Sequence, residues 1–123
     1  VGWARPSGRT GAHSGPTTFV PPDEKDVAMP KGYIIGHVTV HDAEAYRAYI
    51  ERNTPILMEH GARYLVRGGT SETVEGATGM RHVIIEFDDY ATAHAAYHDP
   101  AYQEVAKIRQ RTADSTIILV EGV

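Results

Sequence analysis

The chain has 123 residues, no cysteine and a formal net charge of −4 at pH 7. This length fits one domain, and the lack of cysteine excludes disulfides, a thiolate nucleophile and a zinc–thiolate site. The negative charge argues against nucleic acid as the main partner, because phosphate binding needs a basic face. No apolar stretch is long enough for a membrane span and no signal-peptide core opens the chain, so we expect a cytoplasmic protein.

Residues 1–28 differ in composition from the rest of the chain. Five of the seven prolines lie within residues 1–30, and no apolar period of a strand or a helix occurs there. We therefore interpret residues 1–28 as a Pro/Gly-rich N-terminal arm or extension, with Trp3 and Phe19 as its apolar anchors. The folded domain is assigned to residues 29–123, and we expect it to fold without the arm.

The first half of the domain has the pattern of a strand, a helix and a second strand. β-Branched and apolar residues predict a strand over Tyr33–Val40. A helix capped by Asp42 follows to Gly61, because apolar residues recur at helical spacing. Pro55 is expected to kink or restart this helix, since proline has no N–H to donate. Arg63–Gly68 then predicts the second strand.

The second half repeats the pattern of the first. Arg81–Asp88 predicts the third strand. A helical region over Tyr90–Thr112 is interrupted at Asp99, which can cap a new helix that Pro100 opens. Ser115–Val120 predicts the fourth strand.

A duplicated strand–helix–strand unit predicts a ferredoxin-like α+β fold, βαββαβ, with an antiparallel four-stranded sheet. The right-handed crossover rule gives the strand order 4-1-3-2. Strands three and four are nearly continuous apolar runs, which is typical of strands covered on both faces. Two helices cover only one face of such a sheet, so we expect a homodimer in which two sheets face each other.

Several short segments in this order resemble the bacterial family called domain of unknown function 1330. They include Gly61–Gly69 (GARYLVRGG), Ile85–Phe87 (IEF) and Val120–Gly122 (VEG). The likeness covers Met29 to Val123 and leaves out the arm. Asp99 stands where the family usually has Ser before Pro, and both residues cap helices.

The resemblance implies the dimeric α/β-barrel superfamily. That superfamily includes cofactor-free monooxygenases, lactone isomerases, polyketide cyclases and haem-degrading enzymes. The family itself has no settled activity, so the resemblance predicts the fold and leaves the function open.

Two residues are candidates for catalytic proton transfer. Glu86 lies in the apolar run Val83–Phe87, where a carboxylate needs a partner, and Arg67 or Arg63 on the neighbouring strand can provide it. Glu86 is then either half of a structural ion pair or a general acid or base with a raised pKa. His37 lies mid-strand and is suited to proton transfer near neutral pH, or is a hydrogen-bonded core or interface residue.

A second set of residues is predicted to bind a substrate. Arg67 precedes Gly68 and Gly69, and its guanidinium can hold a carboxylate or enolate with two parallel bonds. The glycines either let a ligand approach the backbone or serve a bulge or turn. Further candidates lie on helix faces. Tyr49, Tyr97 and Tyr102 either line a pocket or belong to the core, and Arg109 either points a second cation into that pocket or extends to solvent.

The sequence predicts neither a metal nor a cofactor. His94 and His98 have the spacing of metal ligands on a helix, but no Glu follows His94 as in the zincin pattern. The glycines fit neither a phosphate-binding loop nor a dinucleotide fingerprint.

The leading hypothesis is a cofactor-independent enzyme acting on a small organic acid, lactone or polyketide-like molecule. Arg67 would hold an anionic oxygen and Glu86 or His37 would move a proton, in a pocket between the helices and the sheet. The alternatives are a non-catalytic small-ligand-binding dimer and a structural dimer without a ligand. The sequence does not discriminate among the three, whereas a cavity beside Glu86 and Arg67 would favour the enzyme.

Overall fold

The computed structural model describes residues 29–123, so the predicted arm, Trp3 and Phe19 lie outside the described residues. Residues 29–123 form four strands and three helices. In chain order they are β1 (Gly32–Val40), α1 (Ala43–Glu59), β2 (Arg63–Arg67), β3 (Arg81–Phe87), α2 (Tyr90–His98), α3 (Pro100–Thr112) and β4 (Ala113–Glu121). Among these residues no helix has the length and apolar character needed to cross a membrane.

The strands form one sheet with the order β2-β3-β1-β4, in which every neighbouring pair is antiparallel. This is the predicted order read from the other edge, so the ferredoxin-like α+β fold is confirmed. The central strand β1 pairs with β3 on one side and with β4 on the other. In this register Tyr33 lies opposite Glu86 on β3 and Val120 on β4.

The two faces of the sheet have different surroundings. Successive side chains of a strand point to opposite faces, and on β1 Ile34 and Val38 are buried while Ile35 and His37 are only half-buried. The buried set packs against the helices, and we call that side the helix face and the other the open face. Residues 29–123 leave the open face uncovered, since Ile118 remains 41% exposed. Strands three and four are therefore not covered on both faces by the described part of the chain.

The core lies between the helix face and the three helices. Phe87 and Leu57 are its largest fully buried side chains. Ala93, Ala96 and Ala106 have no exposed surface, and such small side chains let helices pack close to the sheet. This close packing brings α3 beside α1 and leaves one cavity, described below, where larger polar side chains meet.

Of the two expectations for Pro55, a kink or a restart of the first helix, the restart is wrong, because α1 is one helix from Ala43 to Glu59. Side-chain donors bond to carbonyl oxygens in the turn before the proline. Asn53 Nδ2 donates to the Tyr49 carbonyl at 2.8 Å, and Thr54 Oγ1 donates to the Ile50 carbonyl at 2.7 Å. Thr54 is therefore an interior residue and not the cap of a new helix.

The break in the second helical region is confirmed at Asp99. Its carboxylate accepts from the Ala101 N–H at 2.8 Å, and Pro100 opens α3. The same carboxylate lies 2.8 Å from His60 Nε2 at the end of α1, so one side chain joins three helix ends. β4 is longer than predicted and starts at Ala113, directly after α3.

The start of α2 approaches β1 very closely at Gly32. We therefore predict that adding a single methyl group at this position lowers the stability of the fold. A Cβ at Gly32 would overlap the Asp89 carbonyl and the Tyr90 Cα, which are backbone atoms. Overpacking of this kind costs about 1–3 kcal/mol, so Gly32→Ala should lower the Tm by about 4 °C or more.

Gly69→Ala is the matched control, because a Cβ there meets no atom within 4 Å and its φ is not positive. Thermal melts of both variants should show a large loss for Gly32→Ala and almost none for Gly69→Ala. Equal Tm values for the two variants would contradict the packing of α2 against β1.

Candidate functional site

A cavity lies between the helix face of the sheet and helices α1 and α3. The space open to the centre of a water molecule is about 40 Å³, which holds about three waters. Its apolar wall comes from the sheet: Ile34, Val38, Val83, Ile85 and Ile117. Its polar wall comes from arginines and tyrosines, so the cavity has an apolar surface on the sheet side and several hydrogen-bond donors in the rest of its wall.

Three guanidinium groups line this cavity. Arg67 ends β2, Arg81 opens β3 and Arg109 comes from α3. No carboxylate belongs to the cavity wall. Within residues 29–123, none of the three guanidiniums lies within 4.0 Å of an Asp or Glu oxygen. The cavity is therefore a concentrated positive site without an internal counter-charge from the described chain.

Arg109 is the most deeply buried of the three, with 3% of its surface exposed. Its Nη1 donates to Ser115 Oγ at 2.6 Å, and its Cζ lies 5.6 Å from the centre of the Tyr49 ring. In the described part of the chain, three buried side-chain polar atoms have no hydrogen-bond partner: Arg109 Nε, Arg109 Nη2 and Arg81 Nε. A buried donor without an acceptor costs about 1–3 kcal/mol, and more when it is charged.

The tyrosines of the cavity are neutral hydrogen-bonding groups. The Tyr49 and Tyr102 hydroxyls lie 2.7 Å apart in a buried pair. Burial raises the pKa of the Tyr49 phenol well above 10.0, and the Tyr102 phenol adds to the effect. Burial also raises the pKa of Tyr46, whose ring centre lies 5.9 Å from Arg81 Cζ. At neutral pH the Tyr46 and Tyr49 phenols remain protonated and can donate to a bound anion.

Arg67 lines the cavity on the helix face and is itself exposed to solvent. Its Cζ is 4.1 Å from the centre of the Tyr64 ring, and its Nη2 donates to Thr54 Oγ1. Gly68 has a φ of 72°, and the space that its Cβ would take is filled by the Arg81 guanidinium. This arrangement favours the turn alternative for Gly68, while the surroundings of Gly69 are open.

Glu86 and His37 lie on the open face and do not contact this cavity. Glu86 accepts hydrogen bonds from Arg63 Nε at 2.8 Å and from the Tyr33 hydroxyl at 3.1 Å. His37 Nδ1 lies 2.9 Å from His82 Nδ1 across β1 and β3. The structure therefore places the two predicted proton-transfer residues on one face and Arg67 and Arg109 on the other.

A register irregularity in β2 separates the two arginines that were considered as partners of Glu86. Four residues apart on a regular strand, Arg63 and Arg67 would point to the same face. Between Tyr64 and Val66 the register shifts, so that Leu65 has no partner on β3. One extra residue turns the rest of the strand over. Arg63 consequently reaches Glu86, whereas Arg67 points to the helix face.

The contacts of Glu86 distinguish between its two alternatives, an ion pair and a general acid or base with a raised pKa. The hydrogen bond from Arg63 lowers the pKa of Glu86 below its ordinary value, and the Tyr33 hydroxyl acts in the same sense. Its side chain is 18% exposed. This geometry is that of an ion pair at the open face and favours the structural alternative over the general acid or base.

The remaining predicted residues are divided between the cavity and its surroundings. Tyr49, Tyr102 and Arg109 line the cavity. Tyr97 does not line it but lies next to Tyr102, with the two ring centres 5.6 Å apart. His94 and His98 stack on each other with ring centres 4.2 Å apart. Among residues 29–123, no group of three or more His, Asp or Glu side chains could hold a metal ion.

The sequence analysis missed Arg81 and Ser115. Arg81 alternates with Val83 and Ile85, which is a signal that it shares their buried face. Ser115 alternates in the same way with Ile117 on β4. Both are the first residues of predicted strands.

Comparison with known proteins decides the family. A model of the DUF1330 family, a domain of unknown function, matches residues 31–123. The chain belongs to the DUF1330 family. A comparison with curated proteins finds no match.

Solved structures similar to this DUF1330 chain support the fold. The RPA0582 protein of unknown function from Rhodopseudomonas palustris is 21% identical, with a TM-score of 0.62, and the match covers 87% of this chain and 98% of that one. SnoaB, a cofactor-independent oxygenase from Streptomyces nogalater, is 15% identical with a TM-score of 0.55 over 74% and 91%. A Bacteroides thetaiotaomicron protein of unknown function, described as a possible oxidoreductase, is 16% identical with a TM-score of 0.54 over 76% and 99%.

The Glu86–Arg63 pair predicts a pH-dependent effect of Glu86→Gln. A carboxyl group with a lowered pKa in the folded state stabilises the fold above its unfolded pKa, and this contribution is lost as the pH falls through the folded value. The wild type should therefore melt at a higher temperature than Glu86→Gln at pH 7. The difference should shrink below about pH 4.5, the ordinary value for this carboxyl, and disappear in more acidic solution.

Glu51→Gln, on the exposed side of α1, is the control for removing one surface charge and should show a small difference at every pH. A Glu86→Gln variant that is more stable than the wild type at pH 7 would contradict the ion pair and support a strained functional carboxylate.

Proposed function

We propose that this protein binds a small organic anion in the cavity between the helices and the sheet. The observation that carries the proposal is the convergence of Arg67, Arg81 and Arg109 on a cavity to which residues 29–123 contribute no carboxylate. Two of these guanidiniums also present buried N–H groups without an acceptor. Buried charges in proteins are normally paired, so a bound anion would supply the missing partner.

The same groups support a cofactor-independent enzyme as the finer proposal. Fixed donors in a site of low dielectric stabilise negative charge that develops in a transition state, and enolates of small acids, lactones or polyketide-like molecules carry such charge. SnoaB, which shares the fold, is a cofactor-independent oxygenase. In this proposal the arginines and the Tyr49–Tyr102 pair stabilise the anion.

The proposal assigns no proton transfer to Glu86 or His37 within the cavity. Both residues lie on the open face, at Cα positions paired with Tyr33 and His82. We propose instead that they belong to a contact with a second copy of the chain. A non-catalytic binding protein requires the same cavity, and turnover of a bound anion is the measurement that separates it from an enzyme.

Anion binding is tested by thermal melts of the full chain at constant ionic strength. Acetate, formate and phosphate replace chloride in turn, with acetamide as the neutral analogue of acetate. A ligand that binds only the folded state stabilises it by about 2.7 kcal/mol at one hundred times its Kd. At least one organic anion should therefore raise the Tm by several degrees, and acetamide should not.

Arg81→Gln and Arg111→Gln are the matched variants for this experiment. Arg81 lines the cavity, whereas Arg111 is an exposed residue on α3 outside its wall. The stabilisation by anions should be lost in Arg81→Gln and kept in Arg111→Gln. A wild-type Tm that does not respond to any of the anions would refute the proposed function.

We also propose that the open face binds a second copy of the chain. Ile35, Ile84, Ile118 and Val120 lie on it, and the two β4 residues are 41% and 38% exposed. A continuous apolar sheet face of this kind marks an interaction surface. Sedimentation equilibrium of the full chain at micromolar concentration should give twice the chain mass.

Ile118→Glu should produce a monomer, because it puts a charge into the centre of the proposed interface. Val74→Glu is the control, since Val74 is 80% exposed in the connection between β2 and β3. A monomeric wild type, or equal association of both variants, would count against the dimer.

A further inference from the structure

Arg109 lines the cavity, and one edge of its guanidinium has the two parallel donors that match a carboxylate. A guanidinium carries five N–H donors in a fixed plane, and the Nε and Nη2 donors lie side by side on one edge. Nη1, on the other side, is already bonded to Ser115 Oγ at 2.6 Å. Nε and Nη2 are the two Arg109 atoms without a partner. The unpaired part of the side chain is thus a complete two-donor fork.

We propose that this edge is a carboxylate receptor and that the ligand is a short-chain carboxylate. One carboxylate oxygen accepts from Arg109 Nε and the other from Nη2, in the parallel arrangement that arginine forms with planar acids. The inference rests on the proposed function and specifies it, because it names both the ligand class and the residue that selects the class.

The size and polarity of the cavity limit the rest of the ligand. Room for about three waters corresponds to a few non-hydrogen atoms, as in acetate or glyoxylate. Arg81 Nε is the third unpaired buried donor of the described chain. Arg81 lines the same cavity as Arg109, so we infer that a 2-oxo acid, with its additional oxygen, uses more of these donors than a simple acid does.

Neighbouring side chains hold the fork in place. Ser115 fixes Nη1, and the Tyr49 ring lies beneath the guanidinium with its centre 5.6 Å from Cζ. The Tyr49 and Tyr102 hydroxyls bond to each other at 2.7 Å. The Nε and Nη2 atoms have no contact with solvent, so a ligand reaches them when this hydroxyl pair shifts. Ser115 is a positioning residue in this arrangement.

The test is isothermal titration calorimetry of the full chain with acetate, glyoxylate, phosphate and acetamide. Acetate and glyoxylate should bind, glyoxylate more tightly, and acetamide should not. Arg109→Lys keeps the positive charge and removes the fork. Loss of a charge-assisted bond corresponds to about a tenfold or larger fall in affinity, so carboxylate binding should weaken by at least that factor. Arg111→Lys, an exposed residue on the same helix, should bind as the wild type does.

A second readout does not depend on the folding of a buried variant. In the wild type, the arginine Nε–H resonances can be assigned by through-bond NMR and followed during titration with acetate. The Arg109 signal should shift with the same Kd as the heat of binding, and the Arg111 signal should stay in place. An unmoved Arg109 signal, or carboxylate binding that is unchanged in Arg109→Lys, would overturn the inference.

The experiment also separates this inference from the proposed function. Tight binding of phosphate with no binding of acetate or glyoxylate would leave an anion site but overturn the carboxylate assignment. The absence of binding by every anion would overturn both.

Discussion

Arg109 carries a positive charge in a part of the protein that water does not reach, and the architecture of the cavity depends on it. Removing a charge from water costs several kcal/mol unless other groups compensate. Here the compensation from the described chain comes from the Ser115 hydroxyl, the Tyr49 ring and the nearby Tyr49 and Tyr102 hydroxyls. The remaining N–H groups, and that of Arg81, have no acceptor. These unpaired donors are the reason that we propose an anion as the partner of the cavity.

The sheet divides the molecule into two sides with different chemistry. On the helix face, arginines meet tyrosines and no carboxylate takes part. On the open face, Glu86 is bonded to Arg63 and Tyr33, and His37 is paired with His82. The charges of the open face are therefore balanced within the chain, whereas those of the cavity are not. This difference is the reason that we assign ligand binding to the helix face and association to the open face.

Much of the fold follows from local patterns. The alternation of apolar residues in β1 and the capping sequence at Asp99 and Pro100 are local signals, and the structure confirms both. The side-chain donors before Pro55 are also local, but their effect depends on a helix that is already formed, so the sequence alone suggested a break. The boundaries of β4 were underestimated because Ala113 and Asp114 carry no strand signal of their own.

The site was harder to predict than the fold, because it depends on one residue of register. The shift between Tyr64 and Val66 places Arg63 and Arg67 on opposite faces. The residues of that segment give no sequence signal for a bulge. A prediction from regular alternation therefore combined Arg67 with Glu86, which the sheet separates. Arg109 was recognised as a cation facing the tyrosines, but its burial and its bond to Ser115 come from the packing of α3 on β4. Such tertiary contacts are not encoded at any fixed spacing.

The most direct test of the account is a high-resolution crystal structure of the full chain grown in the presence of acetate. The account predicts an anion in the cavity, with oxygen atoms within hydrogen-bond distance of Arg109 Nε and Nη2. A cavity in which a carboxylate of the protein itself occupies this position, from residues 1–28 or from a second copy, would contradict it, because the guanidinium would then need no ligand.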